Sequence, residues 1–475
     1  MNNNFILNTD SYKFSHGPGI LPNGDKSNGQ YPPNTNTYFG YIESRGCNRH
    51  WNKLLFFGLQ AFIKEYLLKP ITKENIIQAE MFCKQHGVPF NKEGWEYILD
   101  KYSGYLPIKI KALPEGGIYP LSIPLVTVES TDSKVFWIGS FIETSLLRAI
   151  WYPTTVATNS WYMRQIIKNY MKKTCDNLDG LDFKLHDFSA RGVSSSETAA
   201  LGGMAHLATG AKGSDTIEGV LAAYEYYNEP MAGYSIPAAE HSSITSWGKE
   251  NELYAYRNML KQFAKPGSIV AIVSDSYDIY NACEKLWGET LKQEIIDSGA
   301  TIVIRPDSGQ PDIVVRKCIE ILDSKFGHSI NSKGYKVINN VRLIQGDGIN
   351  EHTIANILGI LEVYGYSTEN IAFGSGGALA QQLDRDTLKF AMKCSAIKIN
   401  NTWVDVFKDP KTDQGKKSKK GRLTTVLENN EYKAVKLDDL KDTKNDCMNL
   451  IYENGKLISE INFTEVRQNS NKEIN

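Results

Sequence analysis

SIVAIVSDSYD, at residues Ser268–Asp278, is the first of four stretches that decide the fold of this chain. The other three are TIVIRPDSGQPD (Thr301–Asp312), VRLIQGDG (Val341–Gly348) and IAFGSGG (Ile371–Gly377). Each begins with a run of Val, Ile, Leu or Ala without polar alternation, which is typical of a strand buried on both faces in a parallel sheet. Each then ends in a short loop rich in acidic residues and glycine.

The position of these loops predicts a ligand site. In parallel α/β proteins the loop after each strand lies at the carboxyl end of the sheet, where ligands bind. Glycine lets backbone N–H groups approach a phosphate closely, and a following helix adds about half a unit of positive charge. The pattern therefore predicts a site for a phosphorylated, ribose-bearing small molecule.

Units of strand, loop and helix recur roughly every 30–40 residues in this half of the chain, which is typical of a parallel α/β architecture. The spacing alone does not distinguish a closed barrel from an open sheet. After Gly309, Pro311 suits the first position of a helix. We predict two domains: a barrel-like α/β domain at residues 151–385, and a discontinuous α+β domain formed by residues 1–150 with 386–475.

Further local patterns give more detailed expectations. Ser194 and Glu197 have the spacing of a capping box before an Ala-rich helix. Alternating apolar and polar residues predict antiparallel strands within Tyr105–Glu129. Apolar periodicity predicts helices at Trp51–Leu68, Lys73–Gln85, Val135–Trp151 and Asn159–Lys173.

Composition excludes several classes of function. A chain of 475 residues with 41% hydrophobic and 23% charged residues is typical of a globular protein with two or three domains. The net charge of −1 gives no general attraction to nucleic acid or anionic membranes. No apolar run reaches the roughly 20 residues that span a bilayer, and the N-terminus lacks the pattern of a signal peptide.

Cysteine and lysine usage gives two further expectations. Seven scattered cysteines without a C-x-x-C pair indicate a reducing compartment, so we expect a cytoplasmic protein. The lysine-rich stretch Lys408–Arg422 has no interleaved aromatic residues, so a solvated mobile loop is favoured over a nucleic-acid or phosphate site.

One histidine stands out as a candidate for chemistry. The segment GYSIPAAEHSSITSWG, at Gly233–Gly248, places Glu240 beside His241 among small residues and serines. A lone histidine is more often structural than catalytic. In this small-residue setting, however, His241 is a candidate nucleophile or phosphate ligand.

Two residues follow the strand in Thr301–Asp312 directly. Arg305 offers planar, bidentate donors for a phosphate or a carboxamide oxygen. Asp307, two residues on, points to the same face of an extended backbone and suits ribose hydroxyls. The alternative is a structural ion pair at the strand end. The glycine loops around Gly346, Asp347, Gly376 and Gly377 favour shared phosphate binding, because they follow successive βα units.

A third group of candidates lies earlier in the chain. In HDFSARG (His186–Gly192), Phe188 suits stacking on a flat heterocycle and Arg191 suits a phosphate, although a core phenylalanine beside a surface arginine is the commoner outcome. Asp215 has two readings, the N-cap of a following helix or the acceptor for an amide N–H.

Longer motifs, taken together and in order, closely resemble the nicotinamide phosphoribosyltransferase family from about residue 5 to about residue 465. They are NTDSYK (Asn8–Lys13), YPPNT (Tyr31–Thr35), WYPTTVATNS (Trp151–Ser160), NLDGLDFKLHDF (Asn177–Phe188), RGVSSSETA (Arg191–Ala199), YSIPAAEHSSITSWGK (Tyr234–Lys249), VSDSYDIYNACEK (Val273–Lys285), IRPDSG (Ile304–Gly309), NSKGYK (Asn331–Lys336), QGDG (Gln345–Gly348), NIAFGSGG (Asn370–Gly377) and KGRL (Lys420–Leu423).

The resemblance implies a reaction and a type II phosphoribosyltransferase-like fold. Nicotinamide displaces pyrophosphate from 5-phosphoribosyl pyrophosphate and gives nicotinamide mononucleotide, a salvage step toward NAD. The family uses Mg²⁺, couples ATP hydrolysis through a phosphorylated histidine, and works as a homodimer with active sites at the interface. The sequence does not identify the ligands of the Mg²⁺ ion.

The resemblance also implies roles for single residues. Phe188 and the partner subunit's Tyr12 would sandwich the pyridine ring, with Asp10 close by, and Asp215 would accept from the carboxamide. Arg305 would lie near the ring and the ribose, and Asp307 would hold the ribose hydroxyls. His241 matches the phosphorylated histidine, with Glu240 and Asp275 as neighbours that orient it. The expected phosphate-binding residues are Gly346, Asp347, Gly376, Gly377, Arg385, Arg191, Arg45, Lys393 and Lys408.

The chain departs from the family pattern in three places. Gly17–Gln30 is longer than the usual connection, Ser189–Ala190 replaces a glycine–tyrosine pair, and Ala391 stands where a serine is often found. Two alternatives stay open, a nicotinate phosphoribosyltransferase and a ligand-binding relative without activity. Asp215 argues against the first because it would repel an acidic substrate, and the presence of the chemistry-bearing residues argues against the second.

Overall fold

The computed structural model describes residues 4–412, 417–440 and 443–472. The chain divides into two compact units. Unit 1 comprises Met1–Thr158, Glu225–Glu229 and Asp384–Asn475, and unit 2 comprises Asn159–Tyr224 and Pro230–Leu383. The predicted domain boundaries at residues 150 and 385 stay a prediction.

A six-stranded parallel sheet forms the centre of unit 2, so the predicted α/β class is confirmed. The four stretches that open the sequence analysis supply four adjacent strands, because their apolar residues are buried on both faces. In spatial order the strands are Ile269–Val273, Thr301–Arg305, Val341–Gln345, Ile371–Ser375, Leu185–Asp187 and Gly213–Ser214.

An extended segment at residues 234–239, here called the closing segment, joins the two edges of this sheet. At one edge Tyr234 pairs in parallel with Gly213, and the N–H of Ser214 donates to the Tyr234 carbonyl over 3.0 Å. At the other edge Ala238 pairs in parallel with Ala271, and the Ala271 N–H donates to the Pro237 carbonyl over 3.0 Å. The sheet is therefore closed into a ring, which decides between the barrel and the open sheet.

Helices follow most of these strands. Pro311 is the first residue of its helix, as predicted. The capping box before the Ala-rich helix uses Ser195 and Thr198, so the predicted pair Ser194 and Glu197 is wrong by one position. The helices that lie or begin in unit 2 are Ser196–Ala208, Ile217–Tyr227, His241–Thr245, Glu252–Phe263, Ile279–Asn281 continued by Ala282–Thr290, Lys292–Ser298, Pro311–Phe326, Glu351–Val363 and Gly377–Ala380. A hairpin of His328–Ile330 and Lys336–Ile338 completes the unit.

An antiparallel sheet of seven strands forms the core of unit 1. In spatial order its strands are Thr402–Asp405, Phe390–Ile399, Thr35–Ser44, Val126–Ser130, Ile108–Ala112, Asn449–Glu453 and Lys456–Leu457. The strands predicted within Tyr105–Glu129 are confirmed. Two-stranded pairs join Gly19–Ile20 to Lys26–Ser27, Lys53–Leu55 to Ile118–Pro120, and Leu423–Glu428 to Glu431–Lys436.

Three of the predicted helices need correction, and the first is Trp51–Leu68. Trp51–Leu68 is not one helix, because Lys53–Leu55 pairs with Ile118–Pro120, and the helix begins only after Gly58, whose φ of 112° suits glycine. Its helical residues are Leu59–Phe62, continued by a π-helical turn at Ile63–Leu67.

The two helices predicted at Val135–Trp151 and Asn159–Lys173 are largely one helix, Glu143–Thr174, which continues through Pro153. The division between the two units falls within this helix. The predicted helix at Lys73–Gln85 is confirmed as Lys73–His86. The remaining helices of unit 1 are Lys92–Tyr102, Ile138–Phe141 and Phe463–Asn471, with short 3-10 turns at Phe5–Leu7, Ser11–Ser15, Ser133–Val135, Leu437–Asp439 and Thr443–Asn445.

None of the helices in the described part of the chain is long and apolar enough to cross a membrane. The predicted loop at Lys408–Arg422 is only partly described, because residues 413–416 lie outside the described residues. The same holds for residues 1–3 of the N-terminal segment.

Candidate functional site

Most of the predicted site residues in unit 2 lie in loops at the carboxyl ends of the parallel strands. Because neighbouring strands run in the same direction, these loops meet at one end of the ring. His241 lies two residues after the closing segment, at the first position of the helix His241–Thr245. The closed sheet therefore brings residues separated by almost 200 positions in the chain to one rim.

Phe188 forms one wall of this rim. Its N–H donates to the Ser375 carbonyl over 3.0 Å, which ties its loop to the neighbouring strand. Its ring lies over Gly374, where an ideal Cβ would stand 2.0 Å from Cε2 of the ring. An ideal Cβ on Gly346 would meet both the Phe188 ring, at 3.4 Å, and Oδ1 of Asp307, at 3.3 Å. A half-exposed aromatic face, a carboxylate and a glycine loop are therefore adjacent.

A charged cluster lies beside them. His241 Nε2 is 3.0 Å from Oδ1 of Asp275, and His241 Nδ1 is 4.0 Å from Oδ2 of Asp307. The other oxygen of Asp275 accepts from the Asp307 N–H over 3.1 Å. Asp275 is thus a nearly buried link, with 4% of its side chain exposed, between a half-exposed histidine and the Asp307 loop. Glu240, by contrast, accepts a hydrogen bond from Ser242.

Arg305 completes this cluster. Its guanidinium Nη2 lies 3.7 Å from Oδ2 of Asp307, and only 17% of its side chain is exposed. Its Nε atom is buried and makes no hydrogen bond to the residues that the structure describes. An unsatisfied buried donor is costly, so this nitrogen is an exception among the buried polar atoms of the site.

Asp215 follows the edge strand Gly213–Ser214. Its N–H donates to the carbonyl of Asp187 over 2.9 Å, so it lies next to the Phe188 loop. Its carboxylate is exposed and accepts a hydrogen bond from Ser235 Oγ over 2.5 Å. The carboxylate of Asp215 thus has one oxygen bonded to Ser235 at the rim, and the choice between its two interpretations stays a prediction.

Hydrogen bonds and close packing fix the glycine loops that follow the strands Val341–Gln345 and Ile371–Ser375. An ideal Cβ on Gly192, the residue after Arg191, would lie 3.2 Å from the N atom of Gly377. Ser375 Oγ donates to the Ile349 carbonyl over 2.8 Å, which connects the loop of Gly376 to that of Asp347. The short helix Gly377–Ala380 is held from below by Asn159, whose Nδ2 donates to the carbonyls of Ala378 and Leu379 over 2.9 and 3.0 Å.

Two buried groups under the rim have altered acidity. Burial lowers the pKa of His186, although a hydrogen bond to the Phe183 carbonyl opposes the shift, so the imidazole is neutral near pH 7. Burial raises the pKa of Asp187, although the Ser189 hydroxyl and N–H and the Thr216 hydroxyl oppose the shift. The Ser189 N–H donates to Asp187 Oδ1 over 2.7 Å, and this bond shapes the turn after Phe188.

The other predicted site residues belong to unit 1. Burial lowers the pKa of Lys393, the Glu143 carboxylate opposes this, and the positive charges of Arg45, Lys13 and Lys408 lower it further. Three of the predicted phosphate-binding cations, Arg45, Lys393 and Lys408, therefore lie close enough to interact electrostatically. Cations grouped in this way attract anions.

Asp10, Tyr12 and Arg385 also lie in unit 1. Asp10 Oδ2 accepts from the Thr144 hydroxyl over 2.6 Å, and Tyr12 is 56% exposed, next to Lys13. Arg385 is exposed and pairs with Asp386 over 3.2 Å.

Three residues that support the site were missed by the sequence analysis: Ser235, Asp187 and Asn159. Asp187 directly precedes Phe188 in HDFSARG, so its position next to the aromatic residue was a usable signal. Ser235 and Asn159 contact residues that are 20 and about 220 positions away, and no local pattern reveals such contacts.

No group of three or more His, Cys, Asp or Glu side chains among the described residues could hold a metal ion by itself. Mg²⁺ commonly binds through one or two carboxylates together with substrate phosphates and water. Asp307, with 27% of its side chain exposed, fits that kind of partial coordination, whereas both oxygens of Asp275 are already hydrogen-bonded within the protein.

Two family models match the chain. Residues 183–446 match the nicotinate phosphoribosyltransferase (NAPRTase) family, and residues 4–110 match the N-terminal domain of nicotinamide phosphoribosyltransferase. The first match contains the whole rim from Phe188 to Gly377, and the second contains Asp10, Tyr12 and Arg45.

Similar curated proteins extend over nearly the whole chain. A nicotinamide phosphoribosyltransferase of Xanthomonas campestris pv. campestris is 52% identical over 470 residues, which are 98% of this chain and 97% of that protein. Nicotinamide phosphoribosyltransferases of Acinetobacter baylyi and Mycoplasma genitalium are 31% and 32% identical, each over 88% of this chain and over 88% and 95% of their own lengths.

Solved structures share the fold. A nicotinate-nucleotide pyrophosphorylase from Pyrococcus furiosus superposes with a TM-score of 0.58 at 17% identity, covering 91% of this chain and 88% of that one. A human nicotinic acid phosphoribosyltransferase gives a TM-score of 0.58 at 14% identity, covering 92% of this chain and 89% of that one. At such identities the likeness concerns the fold alone.

Proposed function

The chain belongs to the nicotinamide phosphoribosyltransferase family, and from that premise we propose that it catalyses the transfer of a phosphoribosyl group to nicotinamide. Nicotinamide and 5-phosphoribosyl pyrophosphate react to nicotinamide mononucleotide and pyrophosphate, which makes the chain a pentosyltransferase of NAD salvage. The observation that carries the proposal is the adjacency of Phe188, Gly346 and Asp307, with Arg305 beside them.

Each of these groups suits one part of the substrates. The exposed face of Phe188 stacks on the pyridine ring, and Asp307 accepts hydrogen bonds from ribose hydroxyls. Arg305 donates from its guanidinium group to an oxygen between ring and ribose. The loops of Gly346 and Gly376 offer backbone N–H groups to the 5′-phosphate.

The chemistry needs alignment more than proton transfer. The pyridine nitrogen attacks C1 of the ribose with its lone pair, the C1–O bond to pyrophosphate breaks, and no proton has to be removed. Positive charge builds on the sugar while negative charge builds on the leaving group. A fixed aromatic wall aligns the nucleophile, and guanidinium groups stabilise the developing negative charge.

We also propose that His241 is phosphorylated by ATP. With the proton on Nε2, held by Asp275 Oδ1 at 3.0 Å, the lone pair lies on Nδ1. That nitrogen is the nucleophile for the terminal phosphoryl group, and ADP leaves. The exposure of the imidazole, with 46% of the side chain accessible, gives ATP room to approach.

Mg²⁺ and a second subunit belong to the same proposal. When bound, Mg²⁺ neutralises charge on the phosphates, and Asp307 is the carboxylate that would hold it together with those phosphates. Arg45, Lys393 and Lys408 bind the anionic groups of pyrophosphate and ATP. The homodimer, in which the partner subunit's Tyr12 covers the pyridine ring, follows the family pattern.

A direct assay tests the proposed function. Purified protein is incubated with nicotinamide, 5-phosphoribosyl pyrophosphate and Mg²⁺, and mononucleotide is measured with and without ATP. We expect product in both cases and more product with ATP. Absence of product in both cases would overturn the proposal and would favour a ligand-binding relative without activity.

The choice between amide and acid provides a second test. The nicotinate alternative requires a cation at the ring substituent, whereas Asp215 is an anion, so we expect kcat/KM for nicotinamide to exceed that for nicotinate by at least about tenfold. Asp215→Asn removes the charge and is expected to narrow this ratio. Equal turnover of the two substrates by the natural protein would contradict the assignment of Asp215.

A further inference from the structure

We propose that Ser235 is a positioning residue that fixes the Asp215 carboxylate and thereby sets the preference for a carboxamide on the pyridine ring. This inference rests on the proposed function, because it names a second residue that determines the substrate of the same site.

The main chain places the two residues side by side. The Asp215 N–H donates to the Asp187 carbonyl over 2.9 Å, which fixes Asp215 against the Phe188 loop. The residue before Ser235, Tyr234, is bonded on both sides to the edge strand: its N–H donates to the Lys212 carbonyl over 2.7 Å and its carbonyl accepts from Ser214 over 3.0 Å. Ring closure therefore sets the distance between Ser235 and Asp215.

This placement allows a hydrogen bond between the side chains of Ser235 and Asp215. Ser235 Oγ donates to Asp215 Oδ1 over 2.5 Å, which is the length of a charge-assisted hydrogen bond. The second oxygen, Oδ2, makes no hydrogen bond to any residue that the structure describes. Since Asp215 is exposed, its carboxylate would otherwise turn freely about its side-chain bonds. The serine holds one oxygen and leaves the other for a ligand.

A fixed Asp215 carboxylate favours nicotinamide and also disfavours nicotinate. The N–H₂ group of nicotinamide donates to the free oxygen, whereas the carboxylate of nicotinate meets a like charge that cannot turn away. A carboxylate that is free to rotate loses part of the attraction to the amide and part of the repulsion of the acid. The ratio of the two kcat/KM values is therefore the quantity that Ser235 controls.

The test compares Ser235→Ala, Ser235→Thr and a matched control, Ser332→Ala. Ser332 Oγ donates to Asp176 Oδ1 over 2.6 Å, so it is the same kind of serine–carboxylate pair, on the hairpin that contains Lys336. For Ser235→Ala we expect the nicotinamide-to-nicotinate ratio of kcat/KM to fall about tenfold. Ser235→Thr keeps the hydroxyl and is expected to retain the ratio within about twofold, and Ser332→Ala is expected to leave it unchanged.

A double-mutant cycle distinguishes positioning from a general effect on the loop. In an Asp215→Asn background, Ser235→Ala is expected to change the ratio by less than about twofold, because the charge to be positioned is gone. An unchanged ratio in Ser235→Ala alone overturns the inference, and so does an equal fall in both backgrounds. If the natural protein forms no mononucleotide from either substrate, the proposed function itself fails, which is a different result.

Discussion

The contact between Phe188 and Gly374 leaves no room for a side chain on the neighbouring strand. A Cβ at position 374 would lie 2.0, 2.2 and 2.8 Å from three ring carbons of Phe188. Gly374 is therefore needed for close packing of the Phe188 ring against the strand. This packing leaves the outer face of the ring available to a ligand.

Gly374→Ala is expected to push the Phe188 ring toward the pyridine position. We expect kcat/KM for nicotinamide to fall by at least about tenfold, because a displacement of about 1 Å in a positioned substrate has effects of this order. Gly180→Ala serves as the control, since its φ of −81° is ordinary and the nearest atom to a Cβ there is Lys184 Cε at 3.8 Å. If kcat/KM of Gly374→Ala for nicotinamide equals that of the natural protein, the position of the Phe188 ring does not determine the turnover of nicotinamide.

His241→Ala is expected to remove the stimulation by ATP while some basal synthesis of mononucleotide persists. The imidazole is the phosphoryl acceptor in our proposal, whereas ring stacking and ribose binding depend on Phe188 and Asp307. Product formation is measured with and without ATP, and phosphate on the protein is measured by mass spectrometry. A variant that responds fully to ATP would rule out His241 as the acceptor.

Candidate site residues could be predicted from the sequence where they follow a strand directly. Arg305 and Asp307 were candidates because a buried strand precedes them and polar groups at that place face ligands. Ser235 was not, because its contact with Asp215 exists only after the ring closes. The two readings of Asp215 could not be separated in the sequence for the same reason.

At the scale of elements, the loops of the rim depend on residues in helices beneath them. Asn159 lies within the helix Glu143–Thr174, is fully buried, and donates to two carbonyls of the short helix after Gly376. A helix of four residues has little stability of its own. Its position, and with it the position of the glycine loop, follows from such tertiary hydrogen bonds.

Asn159→Ala is expected to loosen this glycine loop and to raise KM for 5-phosphoribosyl pyrophosphate several-fold, with little change in KM for nicotinamide. Two buried carbonyls lose their donor, so the free energy of unfolding should fall by about 1–3 kcal/mol. Asn331→Ala is the control, because Asn331 Nδ2 also donates to a backbone carbonyl, that of Thr174 over 2.7 Å, away from the rim. Equal changes in both KM values would argue against a role in the phosphate loop.

Elements were predictable where a single pattern determines them. Four of the six parallel strands were predicted because each is a short run rich in Val, Ile, Leu or Ala. The helix Glu143–Thr174 was predicted as parts of two helices, and it continues past Pro153, a residue type that usually ends or kinks a helix. The strand Lys53–Leu55 was missed because its partner, Ile118–Pro120, is far away in sequence.

At the scale of the whole molecule, stability should respond to pH through Lys184. Its Nζ donates to the carbonyls of Thr368, Glu369 and Ile371, and burial lowers its pKa from 10.5 to about 8. The unfolded chain therefore binds the proton more tightly than the native protein. This difference opposes folding below about pH 8 and disappears as the pH rises toward 10.5.

The free energy of unfolding of the natural protein, relative to Lys184→Met, is therefore expected to increase by about 2 kcal/mol between about pH 7 and pH 9.5. Denaturant unfolding at both pH values measures it. Lys173→Met, at an exposed lysine paired with Glu362 over 3.4 Å, controls for general effects of lost charge. A relative stability that stays constant over this interval would contradict the lowered pKa.

The segment that closes the ring carries two chemistries on one short piece of backbone. In our proposal Ser235 acts on the pyridine substituent and His241 on the phosphoryl group, with only Ile236, Pro237, Ala238, Ala239 and Glu240 between them. A deletion of one of these five residues would displace Ser235 or His241, so we expect it to impair both the preference for nicotinamide and the stimulation by ATP.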